Sequence, residues 1–308
     1  MRHAETGAAH DDRYGYPGEF RVLVCAACGH SQLGDPPGAE AQRALYSRFY
    51  PRAGFDPAAH RAYRPPGRVA AWLNGARAAA ALWVRPGTRV LEIGCGYGEM
   101  IGYLKTLGCE VQATELDENV AELARRQGYD IRLGFFDARN YPAGHFDYVL
   151  LNQVLEHVAD PAELLLQLRG VLASGGEVVV STPNGAGLLR RAFGRRWIHW
   201  HAPYHAQIFT QQSLRQLAAA TRFDIRLLRM ATPSGWLLYQ WCHCVGYPPP
   251  GQPHPFWSER APRTLAQRLA YRALYLATHA SRINHLLARI LDAAGSGENL
   301  VAIFGKVG

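Results

Sequence analysis

The residues with the clearest chemical meaning are three alternating glycines and an acid that precedes them. Gly94, Gly96 and Gly98 directly follow an apolar run, and Glu92 stands two positions before the first. Glycine lets a backbone approach a ligand closely, and a helix that begins here offers unpaired N–H donors. The dinucleotide-binding fingerprint has its third glycine one position later, where this chain has Glu99. Because an acid there would repel a pyrophosphate, the pattern disfavours a dinucleotide.

A second acid, Glu115, ends the next apolar run, 23 residues after Glu92. A carboxylate at the tip of the second strand is placed to accept hydrogen bonds from ribose hydroxyls. Glu92 suits a ligand whose nearby end carries a cationic amine or sulfonium. Together the two acids predict a phosphate-free adenosine with a charged amino-acid end.

The elements that must position these residues alternate along the chain from about residue 88. Short apolar runs separated by amphipathic segments are typical of a parallel sheet covered by helices. The predicted strands are 89–95, 110–116, 130–136, 146–152, 176–182, 223–230 and 300–306. The predicted helices include 99–107, 118–127 and 161–172. We therefore expect a doubly wound α/β domain over residues 85–308, with a basic helical insertion at about 235–297.

Residues 1–84 are predicted to form an N-terminal extension. Residues 1–19 are polar and indicate a loose tail, whereas 20–30 alternate like a strand that leads into a Cys-x-x-Cys turn. Residues 39–84 have helical periodicity, interrupted by prolines that include Pro51 and Pro57. This part of the extension is expected to be a helical lead-in.

Four motifs in order resemble class I S-adenosylmethionine-dependent methyltransferases, over roughly residues 85–230. The glycine loop with Glu92 matches the first motif, and Glu115 matches the ribose-binding acid. Residues 146–158 resemble the fourth-strand motif of the branch that includes the ubiquinone-biosynthesis O-methyltransferases, and 175–184 fit the fifth strand. The resemblance implies a seven-stranded Rossmann-like sheet and S-adenosyl-L-methionine as cofactor.

The resemblance also assigns residues to the cofactor. They are Glu92, Gly94, Cys95, Gly96, Gly98, Glu115, Leu116, Asp137, Ala138, Asn152 and Gln153. Asp137 matches the acid that usually meets the adenine amino group. The alternative is that its carboxylate caps the turn that follows.

Three histidines are the candidate catalytic residues. His157 follows the fourth strand, and a histidine of near-neutral pKa there could deprotonate a substrate hydroxyl. The alternative is local packing or orientation of the cofactor. His201 and His205 belong to an aromatic segment, 195–205, that is predicted to be a lid over the substrate pocket. Aromatic packing of the insertion against the sheet is the alternative.

Cys25 and Cys28 resemble the second half of a zinc ribbon that precedes some methyltransferases of this type. Zinc takes about four ligands, and no earlier cysteine pair exists here. Other residues could complete a site, but their spacing singles out none of them: His3, His10, His30, Cys242 and Cys244. We therefore expect a vestigial ribbon, and no metal is assigned to the chain.

The positive charge is concentrated in one part of the chain. The net charge is +8, and residues 185–291 hold 14 arginines against only Asp224 and Glu259. This excess predicts an anionic methyl acceptor or an anionic surface.

Residues 264–291 also carry an apolar stripe at helical spacing. They indicate either a helix packed on the core with a solvated arginine face or a basic amphipathic helix on an anionic membrane. Nucleic acid is disfavoured, since no RNA-binding module is evident.

The cysteine pattern and hydropathy bear on the compartment. Six scattered cysteines favour a reducing compartment, and neither a targeting segment nor a run of ~20 apolar residues is evident. We expect a cytoplasmic enzyme, in contact with a membrane at most peripherally.

The predicted reaction is O-methylation of a small-molecule or lipid-linked metabolite. The alternatives are an RNA methyltransferase and a non-catalytic scaffold that binds S-adenosylmethionine.

Overall fold

A computed structural model describes residues 3–50 and 62–306. Its strands are β1 (His3–His10), β2 (Glu19–Cys25), β3 (Ser31–Leu33), β4 (Arg89–Ile93), β5 (Glu110–Glu115), β6 (Asp130–Leu133), β7 (Phe146–Asn152), β8 (Leu172–Pro183), β9 (Gln207–Ile208), β10 (Phe223–Met230) and β11 (Asn299–Lys306). Its helices are α1 (Ala39–Arg48), α2 (Arg68–Asn74), α3 (Glu99–Thr106), α4 (Glu118–Arg126), α5 (Pro161–Val171), α6 (Leu188–Phe193), α7 (Gln211–Ala220), α8 (Ser234–Cys244), α9 (Leu265–Leu274) and α10 (Ile283–Ala293). A π-helical turn, Tyr275–Ala280, follows α9.

The main sheet has seven strands in the order β10-β11-β8-β7-β4-β5-β6. β11 is antiparallel to both of its neighbours, while the central strands β8, β7, β4, β5 and β6 are parallel. Residues of the central strands are buried on both faces of the sheet, as expected for a parallel sheet between helices. The predicted seven-stranded doubly wound fold is therefore confirmed.

The strand predictions are close in position and differ mainly at the ends. β7 and β10 have the predicted bounds. β6 ends at Leu133 rather than at residue 136 because Gly134 has a φ of +117°, which turns the chain out of the sheet. β8 begins at Leu172, four residues before the predicted start, and runs on from α5 without a separate loop.

The N-terminal extension forms a second sheet, in the order β1-β2-β3-β9. The prediction of a loose tail over residues 1–19 is wrong for His3–His10, which pairs antiparallel with β2. Its Ala- and Gly-rich sequence has no regular alternation, and its pairing partner rather than its own pattern makes it a strand. β9 comes from the C-terminal part of the chain, so the extension is joined to that part by backbone pairing.

The predicted lead-in over residues 39–84 contains α1 and α2, and its positions 51–61, with Pro51 and Pro57, lie outside the described residues. The thiols of Cys25 and Cys28 are free and buried. Within 3–50 and 62–306, no cluster of three or more potential metal ligands includes either cysteine. The absence of zinc stays a prediction.

The insertion between β10 and β11 contains α8, α9 and α10. Its apolar stripe does not pack on the core as the first hypothesis requires: Leu265 and Leu269 are exposed, and Ala288 and Leu291 form part of the buried side instead. No helix among the described residues combines the length and the apolar character needed to cross a lipid bilayer.

Candidate active site

The glycine loop between β4 and α3 has a left-handed backbone that strongly favours glycine. Gly94 and Gly98 have φ values of +69° and +80°. A Cβ at Gly94 would lie 2.8 Å from a methyl of Val154, and one at Gly98 would lie 2.7 Å from the ring of Tyr129. The loop therefore brings bare backbone to the carboxyl end of β4, where doubly wound sheets bind ligands.

Glu115 links this loop to the end of β5. One carboxylate oxygen accepts a hydrogen bond from Gly96 N at 2.9 Å. The other accepts from Leu116 N at 2.8 Å and from Asp117 N at 3.0 Å. The predicted ribose acceptor is thus held in one position by backbone donors, which reduces the entropy lost when it accepts further hydrogen bonds.

Glu92 is a buried carboxylate whose Oε2 has no hydrogen-bond partner among the described residues. Burial raises its pKa to about 8, and the charges of Glu115 and Glu99 add to the effect. Such a group suits a cationic ligand, because a nearby positive charge offsets the cost of burying the ionised form. The bare glycine loop and the oriented Glu115 fit an S-adenosylmethionine site.

The pKa of Glu92 predicts a pH dependence of stability in the cofactor-free protein. Its pKa rises from 4.5 to about 8 on folding, so the folded chain holds an extra proton between these values. Stability is therefore lost as pH rises through this window. We expect Glu92→Gln to reduce this loss. The difference in Tm between the variant and wild type should be about 5 °C more favourable to the variant at pH 8.5 than at pH 5.5. Thermal denaturation at both pH values measures it. Exposed Glu110→Gln is the control, and an unchanged pH slope in Glu92→Gln would contradict the burial argument.

A cavity of about 730 Å³ lies at the carboxyl ends of the central strands. Of the residues predicted to bind cofactor, its lining includes Gly94, Glu115, Leu116, Asn152 and Gln153. Those outside the lining are Glu92, Cys95, Gly96, Gly98, Asp137 and Ala138. The predicted cofactor residues therefore divide into those that face the cavity and those that shape the loop and strand beside it.

Asp137 is engaged in local contacts. Its carboxylate pairs with Arg139 at 2.7 Å and accepts a hydrogen bond from Arg139 N at the start of a short 3-10 helix. The Arg139 guanidinium lowers the pKa of Asp137 to about 2. The capping interpretation is confirmed, and the role toward adenine stays a prediction. At this end the cavity is lined by Phe135 and Phe136.

The structure brings the three candidate catalytic histidines together in the cavity wall. The ring centroids of His157 and His205 are 4.6 Å apart, and those of His201 and His205 are 4.9 Å apart. His205 Nδ1 lies 2.8 Å from the His199 carbonyl oxygen, so it donates there. His157 Nδ1 lies 2.8 Å from the Tyr46 hydroxyl. These contacts at Nδ1 fix the orientations of the His205 and His157 rings.

The aromatic segment 195–205 is in part packed and in part faces the cavity, and its role as a lid stays a prediction. Trp197 is fully buried and donates its Nε1–H to Glu298 at 2.8 Å, which is the packing role. His199, His201 and His205 instead line the cavity. Burial holds the pKa values of all three histidines well below the usual range, and the charge of Arg13 adds to this. The rings are therefore neutral near pH 7.

Glu156 was not singled out from the sequence, yet it lines the cavity beside His157. Its Oε2 accepts a hydrogen bond from the Thr182 hydroxyl at 2.9 Å, while Oε1 has no partner among the described residues. Burial raises its pKa to about 8. Ligand atoms of Glu156, His157 and His205 all lie within 4.8 Å of one another, so this group has the donors for a divalent cation. The expectation of no metal stays a prediction.

Other residues of the cavity wall come from regions without a recognisable motif. The N-terminal extension supplies Arg13, Tyr46 and Tyr50, and the insertion supplies Trp236, Tyr239 and Trp257. Pattern reasoning missed them because each lies far in sequence from the strands it meets. The one available signal was the density of aromatic residues in both regions.

Comparison with known proteins decides which family this architecture represents. A family model described as a methyltransferase domain matches residues 45–228, more than half of the chain. The chain belongs to this family. The resemblance to class I methyltransferases is thereby confirmed, and S-adenosyl-L-methionine is the cofactor of this family.

Curated relatives match only part of the methyltransferase chain. A ubiquinone biosynthesis O-methyltransferase of Caulobacter sp. (strain K31) is 39% identical over 105 residues, 32% of this chain and 42% of that protein. Its counterpart from Thiobacillus denitrificans is 32% identical over 105 residues, 32% of this chain and 45% of that protein. The matches thus span less than half the length of these relatives.

Among solved structures, the cyclase SpnF shares the fold. Its TM-score is 0.54 at 18% identity, over 89% of this chain and 98% of that one. The agreement extends the fold assignment beyond the segment matched by the family model.

Proposed function

We propose that this methyltransferase methylates an oxygen atom of a small-molecule or lipid-linked metabolite. The observation that carries the proposal is one continuous cavity of about 730 Å³. It is lined both by residues of the cofactor crevice and by His157, His201 and His205, called here the histidine group. Its volume is in the usual range for a ligand pocket. The ubiquinone-biosynthesis relatives, which are O-methyltransferases by name, support oxygen as the accepting atom.

When bound, S-adenosylmethionine supplies an electrophilic methyl group on its sulfonium. In the proposal, Glu115, Leu116 and Asn152 bind the nucleoside end of the cavity. The histidine group and Glu156 border the other part, where the acceptor hydroxyl would be held and lose its proton. Neutral imidazoles can accept a proton, and such general-base assistance typically contributes 10²–10⁴-fold. Alignment of the two reactants supplies the larger share of the rate.

Tracing a labelled methyl group tests the proposal. The chain is incubated with S-adenosylmethionine labelled in its methyl group and with extracts of the cells that encode it, separated into water-soluble metabolites, lipids and RNA. We expect the label in an alkali-stable methyl ether in the metabolite or lipid fraction. Label in RNA would overturn the proposal in favour of an RNA methyltransferase. Binding of S-adenosylhomocysteine without label in any fraction would favour the non-catalytic scaffold.

A further inference from the structure

Arg13 is a cavity residue that three separate parts of the chain hold in place. It lies in the loop between β1 and β2, where its backbone N donates to Asp11 at 2.9 Å and its carbonyl accepts from His254 N at 2.9 Å. Its guanidinium stacks on Trp257, 4.2 Å from the ring centroid, and donates to the Ile198 carbonyl. A side chain fixed in this way is part of a built site.

The charge of Arg13 is buried without a counterion. The residue is only 9% exposed, and its Nε has no hydrogen-bond partner among the described residues. No ion pair within residues 3–50 and 62–306 includes it. The two nearest acids along the chain have other partners. The Asp11 carboxylate accepts hydrogen bonds from three backbone N–H groups, and Asp12 Oδ2 lies 3.1 Å from His243 Nε2. An unpaired buried cation costs several kcal/mol, which an anion from outside would offset.

The surroundings of Arg13 supply more unused polar atoms. Nε2 of His199, Nε2 of His201 and the Tyr204 hydroxyl are buried and lack partners among the described residues. Both histidines line the same cavity as Arg13. A neutral imidazole, in the tautomer that carries its proton on Nε2, and a hydroxyl can each donate to an oxyanion beside a cation.

We propose that Arg13 binds a carboxylate of the methyl acceptor. The inference rests on the proposed function, since it assumes that the acceptor occupies this cavity. Within the described lining of the cavity, Arg13 is the sole Arg or Lys. A single positive charge matches a carboxylate better than a phosphate monoester, whose charge is about −1.5 to −2. The planar guanidinium also matches the two carboxylate oxygens.

Two probes that differ only in the carboxylate test this assignment. The measurement is calorimetric titration of 3,4-dihydroxybenzoate and of catechol into protein saturated with S-adenosylhomocysteine. We expect wild type to bind dihydroxybenzoate about 10- to 100-fold more tightly than catechol. We expect Arg13→Gln to remove this preference and Arg13→Lys to keep part of it, with S-adenosylhomocysteine affinity unchanged in both.

Exposed Arg21→Gln is the matched control and should keep the full preference. Equal affinity of wild type for the two probes, including no measurable binding of either at about 10 mM, would overturn the assignment. So would a preference that survives in folded Arg13→Gln. The titration does not depend on methyl transfer, so an Arg13-dependent preference without label transfer would refute the proposed function and leave the carboxylate site standing.

The outer surface of the insertion is apolar and exposed. On α9, α10 and the turn between them, large apolar side chains face solvent: Leu265 (73% exposed), Leu269 (59%), Leu276 (55%), Ile283 (54%), Leu286 (54%) and Ile290 (62%). Val69 and Trp72 of α2 are also exposed, and Arg289 of α10 donates to the Trp72 carbonyl at 2.7 Å. An exposed apolar set of this size marks an interaction surface.

The charges beside this surface identify its partner. Between Arg260 and Leu291 the sequence has six arginines and no acidic residue. Arg268, Arg272 and Arg282 are exposed on the same helical segments. Exposed leucines with arginines and no acids are the pattern of helices that lie in the headgroup region of anionic bilayers. We infer that this surface docks on an anionic lipid membrane.

Flotation with lipid vesicles tests the membrane surface. We expect the chain to float with phosphatidylcholine vesicles that contain a quarter phosphatidylglycerol and to bind pure phosphatidylcholine at least 10-fold less, a difference that salt removes. The triple variant Leu265→Ser, Leu269→Ser, Leu276→Ser should bind about 30-fold less. Exposed Leu133→Ser, Leu166→Ser is the control. No flotation of wild type, or full flotation of the triple variant, would overturn the inference.

Discussion

Glu115→Gln is expected to bind S-adenosylhomocysteine about 100-fold more weakly than wild type. In the proposed site the carboxylate accepts both ribose hydroxyls, and two hydrogen bonds to a charged acceptor are together worth about 3 kcal/mol or more. In wild type the Glu115 carboxylate accepts hydrogen bonds from the backbone N–H groups of Gly96, Leu116 and Asp117. The substitution places an amide N–H₂, itself a donor, among these donors. Calorimetric titration gives the affinity.

Asp117→Asn is the matched control for this loss. Asp117 lies two residues away and caps α4 by accepting from Asn119 N, a role that asparagine fills equally well. Its variant should bind with wild-type affinity. An S-adenosylhomocysteine affinity within 3-fold of wild type in folded Glu115→Gln would remove Glu115 from the cofactor site.

His205→Asn and His157→Asn are each expected to lower kcat about 100-fold while leaving cofactor affinity within 2-fold. Asparagine can replace Nδ1 as a hydrogen-bonding group, which preserves the His205 bond to the His199 carbonyl, but it lacks Nε2. The loss therefore reports on proton removal or positioning by Nε2. Kinetics with the acceptor found by label tracing give kcat, and titration gives the affinity.

Two readouts separate a role of His205 in chemistry from a role in packing. Since burial holds the pKa of His205 well below its usual range, its ring stays neutral between pH 6.5 and 8, and a change of the wild-type kcat in this range reports on Glu156, whose pKa burial raises to about 8. The control, His145→Asn, lies outside the cavity lining and should have wild-type kcat. Equal losses of kcat and of cofactor affinity in His205→Asn would assign the ring to the packing of the lid.

The fold was predictable because its signals are local. Buried parallel strands such as β7 produce continuous apolar runs, and the glycine loop needs residue types that few other structures require. β1 could not be found in this way, because His3–His10 is a strand only through its pairing with β2. The same limit applies to β6, whose early end depends on the backbone of Gly134.

The candidate site was predictable on the cofactor side and only in part on the acceptor side. Glu115 and His157 stand next to strands whose order fixes their place. Arg13 and Trp257 reach the cavity from segments that no periodic pattern positions, so only the folded chain reveals them. The excess of arginines suggested an anionic acceptor, yet the arginine that faces the cavity lies outside the basic segment.

A crystal structure of the wild-type chain with S-adenosylhomocysteine tests the central claim most directly, namely that one cavity holds the cofactor beside the histidine group. We expect the ribose hydroxyls to donate to the Glu115 carboxylate and the sulfur to point toward the part of the cavity bordered by His157 and His205. A ligand bound elsewhere, or a sulfur turned away from these histidines, would contradict it.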